Sequence, residues 1–92
     1  MNVLDKAARA KELLEDPIFQ EAFNGVRNGL VSQLEATPFT DKDLQHEITV
    51  TLQLLKRLKG SLERFIADGV VEQKTLDQRN FIERARQRLV RV

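Results

Sequence analysis

The sequence predicts an all-α protein, either a helical hairpin or a small bundle of three to four helices with one long central helix. Apolar residues between Thr40 and Gly69 recur at helical spacing, and proline and glycine divide the chain at only a few points. No segment shows the alternation of a β-strand, and the β-branched pair Val70–Val71 is too short to form one. Because 92 residues suffice for one domain, we expect 1–92 to form a single helical domain.

The first predicted helix covers about Val3 to Leu14, a segment rich in alanine, which favours helix formation. A boundary follows at Asp16 and Pro17, because proline lacks a backbone N–H and disfavours the α conformation in the residue before it. The same pair suits a helix start, with Asp16 as N-cap and Pro17 in the first helical position. We therefore expect a second helix from Pro17 to about Ala36.

A long third helix is expected from about Asp41 to Asp68. Thr40 and Asp43 resemble a capping box at its start, and Gly69 suits the C′ position just after its end. One apolar stripe along this helix is predicted to face the core, formed by Leu44, Ile48, Leu52, Leu55, Leu62 and Ile66.

A fourth helix is expected from about Glu72 or Thr75 to Leu89. Its apolar residues Ile82, Ala85 and Leu89 share one side, whereas Leu76 lies on the opposite side. This helix therefore either begins with an irregular turn or contacts two partners.

The apolar arc of the third helix is wider than one neighbour requires. Leu54, Leu58 and Phe65 extend it to about 160°, where a single contact needs about 100°. The third helix should therefore pack against two neighbours, or against one neighbour and a second copy of the chain. Gly25 and Gly29 mark a helix end, a tolerated weakness or a close approach of another backbone. The predicted oligomer interface contains Ala22, Gly25, Gly29, Leu54, Leu58 and Phe65.

The charges are nearly balanced, with a net charge of +1, but the excess of basic residues lies in 72–92. The arginines there fit a solvated helix, a phosphate-contacting surface or an arginine-rich protein interface. The candidate phosphate contacts are Arg84, Arg88 and Arg91. Three such contacts predict weak, non-specific DNA binding at most.

Catalysis is not expected, and we predict no catalytic residue, metal ligand or cofactor. The chain has no cysteine, and its only histidine, His46, is predicted to face solvent. No phosphate-binding glycine motif occurs. The N-terminus does not resemble a signal peptide, and no apolar run approaches the length of a membrane span, so no membrane partner is expected.

Two segments resemble a family of small, mostly uncharacterised helical proteins encoded by tailed bacteriophages and prophages. These are the run ARAKELLEDPIFQEAF at 8–23 and FIADGVV at 65–71. The chain departs from the family pattern at Asn24–Gly25 and in its arginine-rich C-terminus. The genes of this family lie near head-morphogenesis and DNA-packaging genes, which implies a role in virion assembly.

The sequence and the resemblance together favour a non-enzymatic bacteriophage structural, assembly or DNA-packaging accessory protein that acts as a helical oligomer. Its implied partners are other copies of itself and phage head or packaging proteins. The implied location is the host cytoplasm, with incorporation into the virion left open. The alternatives are a small nucleic-acid-binding regulator and a phage inhibitor of a host protein.

Overall fold

The computed structural model describes residues 1–90, which form three helices and no strand. The helices are α1 (Val3–Glu15), α2 (Pro17–Ala36) and α3 (Lys42–Val90). The predicted all-α class is therefore confirmed. The molecule is extended, measuring 79 × 26 × 19 Å, with a radius of gyration of 21.9 Å. A compact chain of this length would have a radius of about 12 Å, so the small-bundle alternative does not describe this chain.

The boundary between α1 and α2 follows the predicted capping chemistry. Asp16 accepts hydrogen bonds from the backbone N–H groups of Ile18 and Phe19, at 2.8 and 3.0 Å, and Pro17 opens α2. The side-chain amide of Gln20 donates to the carbonyl of Leu14 at 2.9 Å and so satisfies a C-terminal carbonyl of α1. The predicted N-cap role of Asp16 is confirmed.

The start of α3 is capped by a different residue from the one predicted. Asp41, not Thr40, accepts the backbone N–H of Leu44 at 3.2 Å. The side-chain amide of Gln45 donates to the carbonyl of Pro38 at 3.2 Å and holds the connection between α2 and α3 against the first turn. Asp41 is in the better position because it directly precedes Lys42, where the helix begins.

The end of the third helix was predicted wrongly. α3 passes through Gly69 and continues to Val90, so the third and fourth predicted helices form one helix. A C′ glycine ends a helix by adopting a positive φ, and no glycine among the described residues does so. Gly69 instead has helical geometry, is buried, and lies beside Ala7 of α1.

Helices α1 and α2 lie end to end along α3, and both run antiparallel to it. Phe23 and Val31 of α2 lie near Lys59 and Leu52, respectively. Farther along α3, Ala7 of α1 approaches Gly69. The fold is therefore a hairpin in which one arm is broken at Asp16 and the other arm is continuous.

The core of this hairpin is thin. Ala10 and Ile48 are the only buried apolar side chains among the described residues, with 4% and 3% of their surface exposed. The predicted inward stripe is correctly oriented, but its other members are half-buried, namely Leu44, Leu52, Leu55, Leu62 and Ile66. A two-helix contact covers only one side of each helix, which explains why so few side chains are enclosed.

The last part of α3 extends beyond the other arm. α3 has 49 residues, a length of about 74 Å at 1.5 Å per residue, whereas α1 and α2 have 13 and 20 residues and together span about 50 Å. Leu76 is half-buried, and every residue of 77–89 is exposed. We call 77–89 the extension.

Candidate interaction surfaces

One side of α2 presents small and apolar residues to solvent. They recur three, four or seven positions apart, which places them on a single stripe about 120° from the side that faces α3. All of them are exposed: Ile18, Ala22, Gly25, Gly29 and Ala36. Val26, also exposed, lies between this stripe and the hairpin contact. Because none of these side chains is charged, a surface that packs on the stripe removes no charged side chain of the stripe from water.

The same side of the hairpin carries two exposed leucines of α3. Leu54 and Leu58 have 57% and 53% of their surface exposed, and they lie about 100° from the side of α3 that faces α2. On both helices the exposed residues are displaced from the contact side in the same rotational sense. In an antiparallel pair, such displacements point to the same side of the pair. The two stripes therefore form one surface, here called the apolar face, with Gly29 level with Leu54 and Gly25 level with Leu58.

The six residues predicted to form an oligomer interface are not all in the same environment. Ala22, Gly25, Gly29, Leu54 and Leu58 are exposed on the apolar face. Phe65, by contrast, is half-buried and contacts α1, because the Lys6 ammonium lies 4.9 Å from the centre of its ring. That distance is within the range of a cation–π interaction. Their contact with a second copy of the chain stays a prediction.

Gly25 and Gly29 approach no other part of the described residues, 1–90. A β-carbon at either position would have no atom within 4 Å, apart from its own chain neighbours and helix backbone. The close approach within the described hairpin occurs at Gly69, where a β-carbon would overlap that of Ala7. The close approach of another backbone at Gly25 and Gly29 therefore does not occur within the described hairpin, and their approach to a second copy stays a prediction.

The side opposite the apolar face contains a basic groove between α2 and α3, with a volume of about 670 Å³. Its apolar walls come from Phe23, Val31, Leu52 and Leu55, and its polar lining comes from Asn24, Arg27, Lys56, Lys59 and Glu63. The ammonium of Lys59 lies 5.8 Å from the centre of the Phe23 ring. Lys56 and Lys59 are three residues apart on one side of α3, and the antiparallel packing of α2 brings Arg27 into the same groove.

The extension carries arginines along two edges with apolar residues between them. Arg84 and Arg88, two of the candidate phosphate contacts, are exposed and lie one turn apart on one edge. Arg91, the third, lies outside the described residues. The apolar side chains of the extension are also exposed: Phe81 at 73%, Ile82 at 53% and Leu89 at 78%. Exposed apolar residues in a row are unusual on a helix without a partner.

Other potential sites contribute little. His46 is exposed, as predicted. Within 1–90, no three His, Asp or Glu side chains are grouped so that they could hold a metal ion. None of the helices in this range has the length and hydropathy that are needed to cross a membrane.

The comparisons with known proteins give no match. Neither the protein-family models, the curated proteins nor the solved structures contain a match to this chain.

Proposed function

We propose that this chain is a non-enzymatic assembly protein that acts as an oligomer of helical hairpins. The observation that carries this proposal is the surface that one copy leaves exposed, 7874 Å². A compact protein of 10.6 kDa would expose about 5,500 Å². The excess of about 2,400 Å² is larger than the roughly 800 Å² that one partner contributes to a standard protein interface.

The apolar face is the surface through which we propose that the copies meet. Two hairpins that pack by these faces form a four-helix bundle, the usual arrangement for amphipathic helical hairpins. With a two-fold axis along the hairpin, Leu54 and Leu58 of one copy lie over Gly29 and Gly25 of the other. Because the glycines have no side chains, they leave space for the leucines. Each leucine–glycine contact occurs twice, since the two copies are related by the two-fold axis.

The biological setting of the proposal comes from the sequence resemblance to tailed-phage proteins. On that basis the oligomer is a structural or DNA-packaging accessory in the host cytoplasm, and its partners are phage head or packaging proteins. The identities of the neighbouring genes test this setting. Head and packaging genes on both sides support it, whereas neighbours of unrelated bacterial metabolism contradict it.

Sedimentation of two glycine variants tests the oligomer. Gly29→Leu places a large side chain on the apolar face and should shift the protein towards monomer at micromolar concentration. Gly60→Leu is the matched control, since Gly60 is also an exposed glycine inside a helix with no atom within 4 Å of its β-carbon position, but it lines the basic groove. Circular dichroism should show unchanged helix content in both variants.

Two outcomes would contradict the oligomer. A wild-type protein that remains a monomer at high concentration removes it and favours the inhibitor of a host protein. Equal effects of the two glycine variants would show that the copies meet elsewhere. The nucleic-acid-binding regulator is the other candidate, and the exposed edge formed by Arg84 and Arg88 is the observation that favours it.

A further inference from the structure

The last part of α3, from Val71 to the end of the extension, carries a second apolar stripe that faces away from the apolar face. Val71, Ile82, Ala85 and Leu89 lie on the side of α3 about 160° from Leu62 and Ile66, which face the broken arm. Leu76, on the arm side, is half-buried, whereas Ile82 and Leu89 are exposed. A longer arm of α1 and α2 would therefore not cover this stripe, because the stripe lies on the opposite side of α3.

The spacing of this stripe is that of a coiled-coil seam. Positions 71, 75, 78, 82, 85 and 89 alternate by four and three residues, which are the intervals between a and d positions. Val71, Ile82, Ala85 and Leu89 are apolar, and Thr75 and Gln78 are uncharged. We call these six positions the seam. It is narrow, as expected for contact with one helix, and a membrane surface would favour a broader apolar face.

The positions beside the seam are mostly basic. In this register the e positions are Glu72, Arg79 and Arg86, and the g positions are Lys74, Phe81 and Arg88. The only acidic one of these, Glu72, is half-buried, at the level of α3 that α1 covers. The seam is therefore an apolar line between two basic edges.

These charges argue against a second extension as the occupant. In a parallel pair, Lys74 of one copy would meet Arg79 of the other, because g and e′ positions five residues apart are neighbours. In an antiparallel pair with Leu89 opposite Val71, like charges also meet, at Arg79 with Arg79 and at Lys74 with Arg88. Only Glu72 with Arg86 would attract. Like charges across such a seam disfavour the pairing.

We infer that the extension is a docking site for an acidic amphipathic helix of another protein, which packs along the seam. Its apolar residues cover Ile82, Ala85 and Leu89, and its flanking glutamates or aspartates face Arg79, Arg86 and Arg88. This occupant covers the exposed apolar stripe and also matches the charges on both edges. The inference does not depend on the apolar face, because the seam lies on the other side of α3.

Binding of synthetic peptides to the full chain tests this inference. The probe is a fluorescent peptide of about three heptads with leucine at a and d and glutamate at e and g. The comparison peptide has lysine at e and g. Fluorescence anisotropy at low ionic strength should show binding of the glutamate peptide at least tenfold tighter than that of the lysine peptide. The preference should decrease with added salt, because exposed ion pairs are screened.

Two sets of variants locate the binding site. Ile82→Gln with Leu89→Gln should weaken binding of the glutamate peptide at least tenfold. Arg79→Gln with Arg86→Gln should weaken it several-fold. Arg84→Gln is the matched control, because Arg84 lies outside the e and g positions, and it should change binding less than twofold. Sedimentation of the seam variants should match wild type, which separates this test from that of the oligomer.

The inference is overturned by either of two peptide results: no measurable binding, or equal binding of both peptides. It is also overturned if loss of Arg84 weakens binding as much as loss of Arg79 and Arg86. Vesicles that contain anionic lipid provide a further arm. Should they bind the chain through Ile82 while the glutamate peptide does not, the seam is a membrane contact instead.

Discussion

Gly69 offers a sharp test of the packing between α1 and α3. A β-carbon there would overlap the β-carbon of Ala7 and lie 3.8 Å from its α-carbon. The methyl of Ala7 is attached directly to the backbone, so it cannot move aside by changing rotamer. Gly69→Ala should therefore push α1 away from α3 and loosen the contacts of Ala10 and Lys6 with α3.

The size of the effect follows from a comparison with Gly60→Ala in the same helix. Alanine is intrinsically better than glycine in a helix interior by about 1 kcal/mol, and Gly60 has open space around it. Gly60→Ala should therefore stabilise the chain by up to about 1 kcal/mol. Gly69→Ala has the same propensity gain but is opposed by overpacking, which costs about 1–3 kcal/mol. Because the gain is common to both, we expect the two variants to differ by the overpacking cost, about 1–3 kcal/mol.

The assay is urea unfolding followed by circular dichroism. All variants must be compared at one protein concentration, because association shifts apparent stability. The double variant Ala7→Gly with Gly69→Ala should recover much of the loss, since it moves the methyl from one helix to the other. The expected coupling energy is about 1–2 kcal/mol, within the range for residues in contact. Equal stabilities for Gly69→Ala and Gly60→Ala would refute the close approach of α1.

Two further predictions concern the core and DNA. Ile48→Ala should destabilise the chain by about 2–4 kcal/mol in the same urea assay, as truncation of buried isoleucines does. His46→Ala should change the free energy of unfolding by no more than about 0.5 kcal/mol, because His46 is exposed. A larger loss for His46→Ala would mean that the helical phase assigned to α3 is wrong. Duplex DNA binding, measured by anisotropy, should have a salt slope of about −0.9 per contact. DNA binding should disappear as the salt concentration approaches the physiological level, and also after replacement of Arg84, Arg88 and Arg91 with glutamine. Salt-resistant, sequence-selective binding would favour the nucleic-acid-binding regulator.

Local chemistry explains which parts of the fold were predictable. The start of α2 depends on Asp16 and Pro17, whose capping geometry is set within a few residues, and the bounds of α1 and α2 agree with the prediction. The end of α3 was not predictable in this way. Gly69 could end a helix or admit a neighbouring helix, and the choice depends on Ala7, which is 62 residues earlier in the chain.

The candidate surfaces were predictable only in part, for a similar reason. Helical periodicity correctly set Leu54 and Leu58 apart from the inward stripe. That they share one face with Gly25 and Gly29 follows only from the antiparallel arrangement of α2 and α3. Periodicity also placed Leu76 opposite Ile82, and in the continuous helix α3 Leu76 is half-buried on the arm side whereas Ile82 is exposed.

The unbroken course of α3 fixes the distance between the apolar face and the seam. About 29 residues separate the midpoint of Leu54 and Leu58 from that of Ile82 and Leu89, which corresponds to about 44 Å. In a pair of hairpins related by a two-fold axis along their length, both extensions leave the same end as the two prongs of a fork, and their seams face outward. Such a fork could hold two acidic helices of one larger assembly at once. The second helix would then bind at the raised effective concentration of a tethered ligand, so modest single contacts would yield a durable attachment.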